Sequence, residues 1–568
     1  MQHPSKLLYS VALLSGIASA QALAQVSPDI AAQQLLRQQQ KERAQSEQAA
    51  EGRPDVRLPR PAATVAAGYP PDESPCFPIH HIVLRGDEAA RFDWALAAAR
   101  DANGRCLGTA GINTVIGKVQ NALVAAGYVT SRVLAAPQDL RAGELALTLV
   151  PGRIRAIRFA APAEGAAPAR ASYATALPAR PGDLLNLRDI EQALENFKRV
   201  PTAEADIEIV PGEQPGESDL LIKWRQAFPA RLNLSADDSG SDSTGKYQGG
   251  ATLSLDNLLG WQELFYVSAN RDLGGARQRG RHGTRSYALH LSAPFGYWLL
   301  SGTANDYRYH QAIAGANQTY IYSGSSRNVE LKLARVLYRD AARKSGLALR
   351  AYQRRSANFI DDTEVRVQRR QMGGFELGLT HKEFIGDATL DANLLYKRGT
   401  HAFGTLPAPE EEFDEGTSRP TLVSADASLA LPFGLAGAKL QYQANWRAQW
   451  NRSTLIPQDR FAIGGRYTVR GFDGETSLSA ERGWLLRNEL SWNPGGGAQQ
   501  LYLALDYGQV AGRSAALLAG TSLAGAALGW RGQSHGLQYE LFAGKPVRKP
   551  EHFRSAAVAG GFSLNYAY

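Results

Sequence analysis

From about Phe228 to the last residue, apolar and polar positions alternate with a period of two. Tyr287, Leu289, Leu291 and Ala293 are interleaved with Ser286, Ala288, His290 and Ser292. Leu501, Leu503, Leu505 and Tyr507 are interleaved with Tyr502, Ala504, Asp506 and Gly508, and Phe562, Leu564, Tyr566 and Tyr568 with Ser563, Asn565 and Ala567. Successive side chains of a strand point to opposite faces, so each segment has one apolar and one polar face. Alternating segments of about ten residues, separated by turns, are the pattern of a transmembrane antiparallel β-barrel. Roughly 340 residues, at about twenty per strand and connection, predict about 16 strands, an even number. A soluble sandwich or propeller is the competing architecture. An export signal, a final strand ending on an aromatic residue and the number of segments favour the barrel, which must close because lipid leaves no partner for a free edge.

One stretch interrupts the alternation. Tyr442, Ala444, Trp446, Ala448 and Trp450 form a strand before it; Trp484, Leu486, Leu490 and Trp492, interleaved with Arg487, Glu489 and Ser491, form the next. Between them lies a connection of about thirty residues, about 451–480, of a length that is functional or unstructured. It carries Val469-Arg470-Gly471-Phe472 inside the run Phe461 to Gly474. From these residues alone, a solvated surface loop is the competing reading.

Upstream the period changes. Leu187, Ile190, Leu194 and Phe197 recur at helical spacing, with Asn186 and Asp189 as a helix start. The spacing predicts a first unit over 76–151: a strand near Ile79 to Leu84, helices at Phe92 to Asp101 and Ile112 to Ala126, and strands at Tyr128 to Leu134 and Leu145 to Val150. A second unit over 152–227 repeats the order, with a strand at Ile154 to Phe159, a helix at Leu187 to Val200, and strands near Ala205 to Val210 and Leu220 to Trp224. Both units are therefore small α+β domains.

At the N-terminus, Lys6 precedes the apolar stretch Leu7 to Ala20, and Ala22-Leu23-Ala24 is a small-x-small cleavage site. That is a signal peptide, 1–24. No later stretch reaches the roughly eighteen apolar residues of a spanning helix. Ser27-Pro28-Asp29 starts a helix expected over 25–51. It has so few apolar residues that it must lie in water or in a water-filled cavity. Residues 52–75, rich in proline, form a linker. Cys76 and Cys106, the only cysteines, suit one disulfide in an oxidising compartment. A metal site that adds His80 and His81 ranks below it, because zinc ligands come at tighter paired spacing.

Composition adds exclusions. Charged residues make up 20% and mean hydropathy is −0.29, which rules out a helical membrane protein. The formal charge of +8 comes from dispersed arginines without a nucleic-acid reading motif. Solvated charge, lumen lining or contact with anionic lipid accounts for it as well, and no nucleic-acid partner is expected. No nucleotide-binding loop, metal-ligand cluster or cofactor motif is present, and His290 and His401 stand beside no catalytic motif. No catalytic residue, metal or cofactor is expected.

Several runs resemble a known family. Asn186-Leu-Arg-Asp-Ile-Glu-Gln-Ala-Leu-Glu-Asn-Phe-Lys-Arg-Val-Pro, followed by Ala205-Asp-Ile-Glu-Ile-Val-Pro-Gly and Pro215-Gly-Glu-Ser-Asp-Leu, looks like the second POTRA domain of two-partner secretion transporters, the TpsB family of haemolysin and filamentous-adhesin exporters. Val129-Thr-Ser-Arg-Val-Leu and Val150-Pro-Gly-Arg-Ile resemble the end of the first POTRA domain and its junction with the second. Gly465-Arg-Tyr-Thr-Val-Arg-Gly-Phe resembles the loop motif of the superfamily that also holds the barrel-assembly insertase, and Leu501-Tyr-Leu-Ala-Leu-Asp-Tyr-Gly the strand motif that receives the loop. The likeness spans essentially the whole mature chain.

The resemblance implies an N-terminal α-helix that plugs the lumen, two periplasmic POTRA domains (76–151 and 152–227) and a 16-stranded barrel over 228–568. It also implies that the long loop folds into the lumen, where Arg470 pairs with Asp506. Strand parity supports that pairing, because Asp506 lies on the polar face, away from Leu505 and Tyr507. Leu501 stands where an aromatic is common, which weakens the expected packing near the pair. The function implied is an outer-membrane pore that recognises an unfolded partner exoprotein through its POTRA domains and translocates it without ATP. The exoprotein would be a TpsA-type haemolysin, adhesin or contact-dependent toxin. Outer-membrane lipid and the barrel-assembly machinery are the other implied partners. An insertase of the same superfamily and a passive porin are the alternatives, the first opposed by the plug and the POTRA number, the second by the periplasmic domains.

Overall fold

The computed structural model describes residues 32–43, 45, 55–58, 68–161, 170–277, 280–496 and 498–568. The expected signal peptide, and parts of the expected N-terminal helix and linker, lie outside the described residues.

Sixteen antiparallel strands, with the two-residue strand Thr363–Glu364 beside them, form a closed barrel. It begins at Ala230–Asp237 and ends at Ala559–Ala567, and these two strands pair from Asn233–Ala567 to Asp237–Ser563. Period-two patterning decides which face each residue takes. Leu501, Leu503 and Leu505 are 39%, 51% and 55% exposed on the outside, whereas Tyr502, Ala504 and Asp506 are buried toward the lumen. The apolar face of the barrel points outward, and its polar face lines a lumen that holds the described part of the N-terminal helix and the long loop.

The first α+β unit packs helix Thr109–Ala125 on the sheet His81–Arg85, Glu144–Val150 and Arg132–Leu134, with Val115, Val119, Leu123, Leu145 and Leu147 fully buried between them. Cys76 and Cys106 are disulfide-bonded beside the strand pair Phe77–Ile79 and Arg105–Leu107. Glu73 accepts from the N–H groups of Gly108, Ala110 and Gly111 at 2.8 Å, at the positive end of that helix. Burial pushes the Glu73 carboxyl up, but these three donors more than reverse it and hold it below the usual carboxylate range. Two elements differ from the periodicity. The segment Asp93–Ala102 is a 3-10 helix whose Ala95, Ala99 and Ala102 pack without intervening side-chain bulk. The strand expected at Tyr128 to Leu134 shortens to Arg132–Leu134, because the Tyr128 ring turns in against Phe92 at 4.7 Å and the Gln120 amide bonds both Ser131 O and Val133 N.

In the second unit, helix Leu187–Lys198 lies on the sheet Arg153–Phe159, Glu217–Gln226 and Ala203–Pro211. Asn186 caps the helix, its side-chain oxygen accepting from Arg188 N at 2.8 Å. Leu187, Ile190, Leu194 and Phe197 form its buried stripe, as their spacing predicts. The polar side of the same helix faces the rim of the barrel nearest the two α+β units. The Arg339 side chain is 4% exposed and donates to Glu191 at 3.2 Å and Glu195 at 2.8 Å, and the Tyr297 hydroxyl donates to Asp189 at 2.6 Å. Residues 55–58 run through this junction. Val56 N donates to Glu195 and Leu58 N to Glu191, while Val56 O accepts from Arg339 at 2.6 Å.

Candidate functional site

The connection between strands Ala438–Asn451 and Arg482–Trp492 is folded, not irregular throughout. Phe461–Ile463 pairs with Leu478–Ala480 as a short hairpin, and the Val469 to Phe472 tip lies beyond it. Val469 and Phe472 are buried in a cluster with Ile463, Leu485, Val510, Leu523 and Phe553, and the Phe472 and Phe553 rings meet edge to face at 5.7 Å. The apolar residues of the tip therefore anchor the loop against the wall, and Arg470 is carried between them.

The structure brings Arg470 and Asp506 together. Arg470 Nε donates to Asp506 Oδ2 at 2.8 Å and Nη2 to Oδ1 at 2.9 Å, a bidentate pair, while the Arg470 backbone N–H donates to Oδ2 at 2.9 Å. Two further groups complete the site and lie outside the sequence expectation. Arg470 Nη1 donates to Glu489 Oε2 at 2.5 Å, and Nη2 donates to Asn488 O at 3.2 Å. Glu489 also pairs with Arg531 at 2.7 Å, and the Tyr502 ring lies beneath both guanidinium groups, at 5.8 Å from Arg470 and 5.1 Å from Arg531. The aromatic packing near the pair thus comes from Tyr502 on the lumen face. Leu501 points outward, so its departure from the usual motif does not weaken this packing. Removing one partner of a buried ion pair costs about 3–5 kcal/mol, because the other charge stays buried.

Glycines on the facing strands make room for the tip. A Cβ on Gly525 would stand 1.9 Å from Arg470 O, and one on Gly508 would meet both Ile463 and Val469 at 3.0 Å. Gly471 has φ +98, and a Cβ there would stand 2.5 Å from Lys545 O. Nothing in the alternation singles out Gly508 or Gly525, because glycines are spread through these strands.

The described helix, residues 32–43, lies inside the barrel and touches several parts of its wall. Gln34 donates to Ser241 at 3.3 Å, Lys41 pairs with Asp237 at 3.0 Å, and Arg43 bonds Asp426 on the strand Thr421–Leu435. Leu35 packs on Tyr307, Tyr309 and Tyr322. The helix also bonds the long loop, with Arg37 donating to Gly474 O at 2.6 Å and Gln40 to Ala462 O at 3.3 Å.

Comparison with known proteins agrees with this architecture. A family profile described as haemolysin secretion/activation protein ShlB/FhaC/HecB matches residues 216–532, more than half of the chain. The chain belongs to that family. As a two-partner secretion transporter it also matches a ShlB-type POTRA profile over residues 77–152 and a second POTRA profile over 153–211. It is 37% identical to the outer membrane transporter CdiB-2 of Burkholderia pseudomallei, over 94% of this chain and 93% of the relative. It is 26% identical to the hemolysin transporter protein ShlB of Serratia marcescens, over 79% of this chain and 78% of that one. The solved structure of CdiB from Acinetobacter baumannii superposes with a TM-score of 0.82 at 29% identity, covering 95% of this chain and 99% of that chain. The transporter resides in the outer membrane with its POTRA domains in the periplasm, and moves a partner exoprotein across that membrane.

Proposed function

We propose that the structure is the closed, resting state of the transporter, with helix 32–43 as the plug and Arg470 as the latch that seats the long loop. The observation that carries this reading is the double attachment of the helix, to the barrel wall through Lys41 and Gln34 and to the loop through Arg37 and Gln40. Its many polar contacts, with Leu35 and Leu36 its two large buried apolar side chains among the described residues, suit an element that leaves for water without stranding a large apolar face. The loop tip is held differently, by the buried Arg470–Asp506–Glu489 cluster and an apolar anchor, and stays as part of the pore wall.

The client is a TpsA-type exoprotein: a haemolysin, an adhesin or a contact-dependent toxin. It arrives unfolded in the periplasm and adds to a POTRA sheet edge, where main-chain bonds give affinity with little sequence demand. Strand Ala203–Pro211 lies at such an edge. Threading follows through the polar lumen once the plug has left, and folding outside supplies the direction without ATP. Secretion of a candidate exoprotein by cells carrying wild-type protein or Arg470→Ala tests the latch. Released exoprotein should fall about tenfold or more, the scale of a loss above 1.4 kcal/mol, with surface levels of the barrel unchanged. Full release at normal surface levels would remove Arg470 from the mechanism.

A further inference from the structure

The outer wall of the barrel carries a basic patch that neither the lumen nor the loop uses. Across strands Leu264–Gly274, Gly283–Phe295 and Trp298–Ala314, the register sets Arg271 opposite Arg285 and Arg285 opposite Arg308. One step nearer the periplasm, Asp306 faces Arg327, and Arg327 faces Arg355 on the next strand. Parity turns all of them outward. Asn270, Ser286 and Tyr307, of opposite parity, surround the plug helix, whereas Arg271, Arg285 and Arg308 share a face with the exposed Val267, Leu289 and Leu300. Because the POTRA domains precede the barrel on the periplasmic side, these arginines lie toward its extracellular end.

Like charges directly opposite on neighbouring strands destabilise a sheet. Here three guanidinium groups stand in one row and two in the next. Among the described residues, Asp306 is the one acid bonded to the five arginines, by Arg308 at 3.0 Å and Arg327 at 3.2 Å. A concavity of about 1330 Å³ opens over the patch, and Arg281, His282 and Arg369 from neighbouring loops add to its rim. Elsewhere on the wall the outward residues at the same end include the aromatics Trp450 and Trp484 and single basic residues, Arg398 and Lys545, rather than a row of facing arginines.

Beneath the patch the wall is apolar. On the strand Thr319–Arg339, Val329, Leu331 and Leu333 follow Arg327 on the outer face, and Arg335 then stacks on Trp298 at 4.8 Å. Eight residues of tilted strand separate Arg327 from Arg335, roughly 20 Å of height, near that of an apolar band of about 25 Å. Arg327 and its neighbours thus mark the upper edge of the hydrocarbon layer.

We propose that this patch binds the phosphate groups of the anionic glycolipid of the outer leaflet, whose acyl chains lie on the apolar wall below. A phosphate accepts two parallel bonds from one guanidinium and bridges to the next, so it turns the repulsion within each row into attraction. The level of the arginines selects a lipid-borne phosphate, because acyl chains on Tyr287, Leu289, Val329 and Leu349 hold the headgroup at that height. Guanidinium groups replace the divalent cations that otherwise neutralise such headgroups, so binding should survive chelation.

Native mass spectrometry of the purified full-length protein in detergent with a chelator tests the site. Bis-phosphorylated lipid A should be retained, and its dephosphorylated form should not. Phosphatidylglycerol or inorganic phosphate at the same concentration should not displace it. The variant carrying Arg271→Gln, Arg285→Gln and Arg308→Gln should lose bound lipid about tenfold or more, with heat-modifiable migration reporting an intact barrel. Unchanged occupancy in a folded variant would overturn the proposal. So would equal binding of the dephosphorylated lipid, or displacement by either competitor. The lipid comparison on wild-type protein decides the matter even if the triple variant fails to assemble.

Discussion

Every nitrogen of the Arg470 guanidinium has an acceptor: Nε and Nη2 on Asp506, Nη1 on Glu489, and Nη2 again on Asn488 O. Two charges on two different strands converge on one loop residue, so the loop position is fixed in two directions. The glycine shelf is the uncharged half of the same seat. Gly525→Ala places a methyl carbon against Arg470 O, at 1.9 Å in the present geometry, while leaving every charge in place. Its effect on secretion should approach that of Arg470→Ala, and proteolysis of intact cells should begin to cut within 452–481. Normal secretion with an uncut loop would show that close approach at Gly525 is unimportant. Asp506 was legible in advance because parity assigns it to the lumen and the motif names its partner. Glu489 was not, since it is one of many lumen acids and reaches Arg470 only through the register that pairs Arg487 with Asp506.

At the scale of elements, helix 32–43 and the long loop lie against each other in the lumen and are held by different forces. The helix is attached mostly by polar contacts, which water can replace, whereas the loop tip has Val469 and Phe472 fully buried. Deleting residues 32–43 should therefore raise single-channel conductance in a planar bilayer and leave the barrel folded. An unchanged conductance would mean that the loop alone closes the pore. The polarity of the helix was plain from its residues, and so was its need for water around it. What it touches was not legible, because Leu35 meets three tyrosines on two adjacent paired strands, and nothing in the sequence links that pair of strands to the helix. The shortened strand before Leu134 has the same lesson: an apolar Tyr128 fits a strand pattern, but its ring is used in the core.

For the whole molecule, the second POTRA domain and the barrel share an ion-paired junction through which residues 55–58 pass. Arg339→Ala would remove the cation that Glu191 and Glu195 share and leave Glu191 to Arg188 and Glu195 to Lys344 alone, so the cost should stay below the about 3–5 kcal/mol of an uncompensated buried charge. Spin labels on the second POTRA domain and the barrel rim should then report a broader distance distribution, and an unchanged distribution would show that other contacts hold the junction. The architecture itself was largely legible, since period two marks barrel strands and period 3.6 marks the POTRA helices. The junction was not, because Arg339 lies in a strand end whose charge looks solvated until two domains meet. The basic outer wall was hidden for the same reason: its arginines are far apart in sequence and adjacent only in register.

The central claim is that the exoprotein passes through the lumen that helix 32–43 now fills. Cysteines replacing Gln34 and Ser241, whose side chains touch at 3.3 Å in the closed barrel, can be joined by a short bifunctional thiol reagent. The native Cys76–Cys106 bond offers no free thiol to compete. Exoprotein release should fall in proportion to the cross-linked fraction and remain normal after a monofunctional reagent. Undiminished release from a fully cross-linked transporter would contradict the account.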